Sequence, residues 1–130
     1  MTEEPKNTML YRYELYCDGE YQEVGFMQDM WDIFSDDRAR GLCRYFDENL
    51  PISKYYSFEE KRTCAFFTEL GIEKFKPHIK AIIKAYKEET IYDVKRIKVD
   101  KRDISDAILY KDKYQVIVKE SAIHKNVSCA

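Results

Sequence analysis

The alternation of apolar and polar residues predicts a β-hairpin near the start of the chain. Two alternating segments, Leu10–Cys17 and Glu20–Phe26, flank the pair Asp18-Gly19. An Asp-Gly pair between two such segments is the strongest short-range signal for a hairpin. A two-residue loop places Tyr16 opposite Tyr21 across the two strands.

The two faces of this hairpin differ in polarity. Because side chains alternate along a strand, one face is predicted to belong to the core; it holds Tyr11, Tyr13, Leu15, Val24 and Phe26. The other face is predicted to lie outside the core, and it holds Leu10, Arg12, Glu14, Tyr16, Tyr21 and Glu23. The same register puts Glu14 opposite Glu23, a like-charge pair that a nearby Arg12 relieves.

Helical spacing of apolar residues follows the hairpin. The segment Phe26–Phe34 is apolar enough for either a short helix or a covering turn. Ser35 is a good N-cap, because Asp36 and Asp37 occupy the helical turn that follows. The next apolar residues recur at helical spacing and predict a helix that ends before Pro51; they are Ala39, Leu42, Cys43, Phe46 and Leu50.

Two more helices are predicted before the pattern returns to strands. Ser57 and Glu60 have the spacing of a capping box, which opens a helix that reaches Leu70 and is closed by Gly71. Pro77, at a first helical position, starts the next helix. Its buried side is predicted to be Ile79, Ile82, Ile83 and Tyr86, and its solvated edge Lys76, Lys80, Lys84 and Lys87.

The last part of the chain is rich in β-branched residues. The segments TIYDVKRIKVD (90–100) and AILYKDKYQVIVK (107–119) predict one strand, then two short strands around Lys111-Asp112. Strands at both chain ends with helices between them indicate an α+β fold. We expect a single domain over residues 1–130, with an antiparallel sheet built from the N-terminal hairpin and the C-terminal strands and covered by about three helices. Residues 1–8 and 121–130 are expected to fray.

Composition and charge narrow the classes of function. Four cysteines at long, irregular spacings and two histidines argue against a zinc site or a disulfide scaffold, so Cys43 and Cys64 are expected to be buried free thiols. The net charge of −2 combines −7 for residues 1–50 (12 acids, 5 bases) with +5 for residues 51–130 (12 acids, 17 bases). This balance disfavours nucleic acid as the main ligand. With no signal-peptide pattern and no membrane-length apolar run, a cytoplasmic protein that binds no membrane is expected.

The titratable residues show no pattern that indicates catalysis. Helix capping explains Asp36 and Asp37, a helical first turn explains His78, and Cys64 has no identifiable histidine partner. We therefore expect no catalytic residue, no metal and no cofactor.

Tyrosines and arginines outside the predicted core indicate a binding surface instead. The chain contains eleven tyrosines, and Tyr and Arg are favoured as anchors of protein interfaces. The predicted partner-binding residues are Arg12, Tyr16, Tyr21, Arg40, Arg44, Tyr55 and Tyr56. The sequence therefore favours a non-enzymatic module that binds another protein, such as an inhibitor or accessory factor of a bacterial or phage system.

An alternative comes from the two ends of the chain. The segments LYRYE (10–14) and IKVDKRDISDAILYKDKYQVIV (97–118) resemble the opening and late strands of the mono-ADP-ribosyltransferase-like fold. The resemblance implies NAD as cofactor, with Arg12 at the position that holds the NAD phosphates or ribose. It also places Lys113 and Gln115 at the Gln/Glu-x-Glu positions. Since Gln115 replaces the catalytic Glu of that family, the resemblance implies an NAD-binding protein that is either active or degenerate.

Overall fold

The chain forms one layer of antiparallel strands with helices packed on it, as seen in a computed structural model that describes residues 8–27, 30–50, 63–119 and 128–129. The elements are β1 Met9–Cys17, β2 Glu20–Gly25, α1 Met30–Ile33, α2 Asp36–Asn49, β3 Thr63–Phe67, α3 Glu69–Glu89, β4 Asp93–Asp100, a 3₁₀-helix Lys101–Ala107, β5 Ile108–Lys111, β6 Gln115–Lys119 and β7 Ser128–Cys129. These elements confirm the predicted α+β class and the antiparallel sheet built from both chain ends.

Strand β1 lies inside the sheet, whose order is β5-β6-β3-β1-β4-β7 with β2 paired to β1. Along one edge, β1 pairs with β4 from Met9 to Tyr16. Its other edge is shared, because Tyr11 pairs with β3 while Glu14 to Cys17 pair with β2. The sheet therefore forks on this edge of β1, at Arg12 and Tyr13.

The hairpin confirms the predicted turn but not the whole predicted register. Asp18 and Gly19 both have positive φ, 54° and 82°, as a type I′ turn requires, and Tyr16 pairs with Tyr21. Beyond that pair a bulge shifts the register, so that Glu14 lies opposite Gly25. The predicted pairing of Glu14 with Glu23 is therefore wrong. The shift places Gly25, which has no side chain, at the fork, where there is little room for a larger residue.

The helical block differs from the sequence prediction. Residues 63–67, predicted as helix, form strand β3, so the sheet also takes a strand from the middle of the chain. A single helix, α3, then runs through both Gly71 and Pro77, which were predicted to close one helix and open the next. Its N-cap is Thr68, whose hydroxyl accepts a hydrogen bond of 3.0 Å from the Gly71 N–H. The predicted capping box, Ser57 with Glu60, lies outside the described residues.

The sheet buries apolar side chains on both of its faces. One face of the sheet forms a core cluster with α2 and α3. Its residues include Tyr13, Leu15, Phe26, Phe46, Phe67, Phe75 and Ile79. Under the 3₁₀-helix, on the other face, lie residues that include Leu10, Cys64, Phe66, Val99, Ile104 and Val116. These two clusters bury β1 from both sides.

Burial on both faces corrects the predicted division of β1 into a core face and an outer face. Leu10, Arg12 and Glu14 were expected outside the core but are only 2%, 6% and 3% exposed. Tyr13 is buried as predicted. Tyr11, predicted as core, is half-buried, and the Arg96 guanidinium lies 4.9 Å from the centre of its ring.

The N-terminus of α3 packs closely on the turn between β5 and β6. The Thr68 N–H donates to the Tyr114 carbonyl at 3.0 Å, and the Thr68 hydroxyl donates to the Lys113 carbonyl at 2.6 Å. A Cβ atom added to Gly71 would collide with the Tyr114 carbonyl oxygen, which is backbone and cannot rotate away. Glycine is therefore required at position 71 because the backbone of α3 approaches the Tyr114 carbonyl closely, and not because a helix ends there.

Gly71→Ala is expected to lower the free energy of unfolding by about 1–3 kcal/mol, because the added methyl group overpacks a backbone contact. The matched control is Gly41→Ala in α2, where an added Cβ meets no atom within 4 Å. That control should raise stability by about 0.5–1 kcal/mol, since Ala is the better helix former. Urea unfolding measures both values, and equal effects of the two substitutions would contradict the close approach.

Asp100 joins the start of β1 to the 3₁₀-helix. Its carboxylate accepts hydrogen bonds from the Arg102 guanidinium at 2.6 and 3.0 Å, from the Arg102 N–H at 2.9 Å and from the Thr8 hydroxyl at 2.9 Å. The hydrogen bonds from the Arg102 side chain, then that from its backbone, hold the pKa of the Asp100 carboxyl well below its ordinary value. Asp100 therefore stabilises the fold in its ionised form.

A depressed pKa gives Asp100 a defined pH window. Its contribution is fully present above its unfolded pKa of about 4 and is lost as the pH falls towards the folded pKa. Asp100→Asn should therefore be less stable than wild type at pH 7, and the difference should shrink as the pH falls below about 4. Urea unfolding of both proteins over this range measures the difference; one that does not change with pH would contradict the assignment.

Candidate functional site

Arg12, predicted as a partner-binding residue, is buried in the fork of the sheet. Its Nε donates to Oε2 of Glu14 at 2.8 Å, and its Nη1 is 3.4 Å from the Ala65 carbonyl oxygen. Both side chains of this ion pair are less than a tenth exposed. The guanidinium also lies against Gly25, where an added Cβ would be 3.1 Å from both terminal nitrogens. The expectation that Arg12 lies exposed at the surface is therefore wrong, because its guanidinium is buried between Gly25 of β2 and Ala65 of β3.

Arg12 and Gln115, the pair implied by the ADP-ribosyltransferase-like resemblance, lie on opposite faces of the sheet. Gln115 pairs with Phe67, and Phe67 pairs with Tyr11, so these three residues share the face covered by α3. Arg12 follows Tyr11 and points to the other face, since side chains alternate along a strand. Gln115 is also buried, 1% exposed. The two side chains therefore do not converge on one cleft.

Tyr16 and Tyr21 are brought together by the hairpin, as predicted. They are paired residues of β1 and β2. On its other side Tyr16 pairs with Asp93 of β4, and the ammonium group of the neighbouring Lys95 lies 5.3 Å from the centre of the Tyr16 ring. Tyr16 is half-buried.

Arg40 and Arg44 lie on the solvent side of α2, one turn apart. Arg40 forms an ion pair of 3.1 Å with Asp37, and both side chains are mostly exposed, 60% and 96%. These arginines are surface residues, as predicted, on a different element from the tyrosine pair. Tyr55 and Tyr56 lie outside the described residues.

Two exposed apolar residues were not recognised from the sequence. Trp31 in α1 is 44% exposed, and Ile91, between α3 and β4, is 81% exposed. Trp31 lies in the segment Phe26–Phe34, for which the sequence allowed either a short helix or a turn. Ile91 was predicted to belong to a strand. The single tryptophan of the chain was the available signal, because Trp is the residue most enriched among binding anchors.

Both residues lie at the end of the helical layer where α2 begins and α3 ends. Arg38, in the first turn of α2, pairs with Glu89 at the end of α3, with 2.5 Å between Nη2 and Oε2. Ile91 follows Glu89 by two residues, and Trp31 precedes the same turn of α2. The Tyr86 ring contacts the Phe34 ring, with centres 5.0 Å apart, which holds α1 near the end of α3.

The hairpin reaches this same end, because Tyr16 pairs with Asp93, two residues after Ile91. We call Tyr16, Trp31, Arg38, Glu89 and Ile91 the hairpin-end surface. The hydrogen bond from Arg38 to Glu89 raises the pKa of the Arg38 guanidinium above its ordinary value. The Arg38 side chain is therefore charged at neutral pH.

Cys17, Cys43 and Cys64 offer no activated nucleophile. Cys43 and Cys64 are buried, 3% and 4% exposed, and the Cys43 thiol contacts the Met30 sulfur at 3.3 Å. Desolvation, with the Asp18 carboxylate, raises the pKa of the Cys17 thiol. A thiolate at Cys17 is therefore disfavoured at neutral pH.

Comparison with known proteins yields no relative. No protein-family model matches the chain, and the searches of curated proteins and of solved structures found no match. Among the residues described, no helix is both long and apolar enough to cross a membrane. In the same part of the chain, no group of three or more His, Cys, Asp or Glu residues is placed to hold a metal ion.

Breaking the Arg12–Glu14 pair is expected to destabilise the protein strongly. Glu14→Gln keeps the shape of the side chain but removes the carboxylate that pairs with the buried Arg12 guanidinium, which is expected to cost about 3–5 kcal/mol of unfolding free energy. The double variant Arg12→Met/Glu14→Leu should be more stable than Glu14→Gln, because it removes both buried charges. Asp37→Asn, which breaks an exposed pair, is the control and should change stability by less than about 1 kcal/mol.

Urea unfolding measures all three variants. A Glu14→Gln protein as stable as Asp37→Asn would show that the buried pair does not hold the fork together.

Proposed function

We propose that this protein is a non-enzymatic protein-binding module that contacts its partner through the hairpin-end surface. The observation that supports the proposal is the exposure of Trp31 and Ile91 at one end of the molecule. Three large apolar residues of the described chain are strongly exposed, and the third, Leu70, lies at the opposite end of α3. Two large apolar side chains at one end suit an interface better than single, scattered ones do.

The chemistry of the surface fits an interface anchor. Trp and Arg are enriched among the residues that dominate binding energy, and Tyr16 beside them has both an apolar ring and a polar hydroxyl. Truncating such an anchor costs about 2 kcal/mol or more of binding free energy, a factor of about 30 in affinity.

The Arg38–Glu89 pair can also take part in binding. Its side chains are 47% and 41% exposed, and an exposed ion pair contributes only about 0–1 kcal/mol to stability. The pair can therefore exchange partners at an interface with little loss to the fold. A module of this kind would act as an inhibitor or accessory factor by covering a surface of its partner.

The NAD-binding alternative finds less support. It requires Arg12 and Gln115 to approach one ligand, whereas they lie on opposite faces of the sheet and both are buried. The hairpin-end surface is exposed and needs no rearrangement to be reached.

The double substitution Trp31→Ala/Ile91→Ala is expected to weaken partner binding by at least about tenfold while the fold remains intact. The partner is first captured from the native host with the wild-type protein, then purified, and the dissociation constants are measured by titration calorimetry. Leu70→Ala is the matched control, since it removes an exposed apolar side chain, 58% exposed, from the other end of α3.

Circular dichroism and the urea midpoint establish that all variants are folded. A partner that binds the double variant as tightly as wild type, or loses affinity only with Leu70→Ala, would refute the proposed surface.

A further inference from the structure

The charge around the hairpin-end surface indicates the kind of partner, and this inference rests on the function proposed above. The residues of this surface lie in the segments 16–20, 31–38 and 87–95. These segments contain eight acids against three bases, an excess of five negative charges. All eight carboxylates are on exposed residues; they are Asp18, Glu20, Asp32, Asp36, Asp37, Glu88, Glu89 and Asp93.

Two of the three basic side chains in these segments already interact with other residues of the protein. Arg38 pairs with Glu89 at 2.5 Å, and the Lys95 ammonium lies over the Tyr16 ring. These segments thus contain two exposed apolar side chains, Trp31 and Ile91, and their net charge is still −4 when Arg40, which pairs with Asp37, is counted with them.

The rest of the chain carries the opposite net charge, +3, from 16 acids and 19 bases. A charge distribution with two poles orients an approaching charged partner and repels like charge. A partner with positive charge is attracted by the acidic end and repelled by the basic part. A nucleic acid backbone is repelled by this end.

We propose that the partner is a protein whose docking face is basic, with Lys and Arg around an apolar centre that receives Trp31 and Ile91. Apolar contact at the centre provides affinity, and the charged rim provides orientation and association rate. Binding should therefore weaken as salt screens the rim, while the apolar centre keeps a residual affinity.

The single tryptophan of the chain makes a direct test possible with defined probes. Two amphipathic peptides without tryptophan share the same leucine positions and carry either lysine or glutamate at the polar positions. The lysine peptide is expected to shift the Trp31 emission to shorter wavelength in a saturable way, and the shift should weaken between about 0.05 and about 0.5 M salt. The glutamate peptide is expected to cause no shift.

Matched charge variants separate local from total charge. Asp32→Asn/Glu88→Gln/Asp93→Asn removes three carboxylates of the hairpin-end surface and should lower the affinity for the lysine peptide by about tenfold. The control, Glu69→Gln/Asp103→Asn/Asp106→Asn, removes three exposed carboxylates elsewhere and should leave the affinity within about twofold of wild type.

Equal losses in the two triple variants, or an equal emission shift with the glutamate peptide, would overturn the basic partner. The failure of the proposed function is a different result. If the captured partner loses affinity with Trp31→Ala/Ile91→Ala but not with the acidic triple variant, the surface is the binding site and only the partner's basic character is wrong.

Discussion

The buried ion pair between Arg12 and Glu14 is the interaction on which the arrangement of the sheet depends. One edge of β1 serves two strands, β3 and β2, and these diverge at the guanidinium of Arg12. Nη1 is placed towards the Ala65 carbonyl of β3, and the planar group lies against Gly25 of β2. Burying two charges costs several kcal/mol for each ion, so the pair persists only because its geometry and its additional contacts offset that cost.

The same fork determines where the exposed apolar residues lie. The bulge that sets Gly25 opposite Glu14 leads the chain from β2 to Phe26, whose carbonyl accepts a hydrogen bond of 2.6 Å from the buried Tyr86 hydroxyl. Helix α3 is held at both ends, by Gly71 against the Tyr114 carbonyl and by Tyr86 under Phe26. Trp31 follows Phe26 and Ile91 follows Tyr86 by five residues each, and both are exposed.

Elements determined by neighbouring residues could be predicted from the sequence, whereas those that depend on distant residues could not. The hairpin was predictable because an Asp-Gly turn needs φ > 0 at both central residues, and both angles are positive here. Strand β3 was not predictable, because a segment of five residues is too short to separate strand from helix by periodicity. Gly71 was taken as a helix end for its conformational freedom, whereas its role is to let backbone approach backbone. That role arises from Tyr114, which is distant in sequence.

The sequence by itself determined the α+β class, the hairpin turn, the start of α2 at Ser35 and the strands at the C-terminal end. Each of these follows from local chemistry, namely turn conformation, helix capping and the period of the apolar residues. Only the tertiary structure decided that Arg12 is buried and that Trp31 and Ile91 are exposed. Burial depends on what covers a side chain, and here the covering residues come from strands and helices far along the chain.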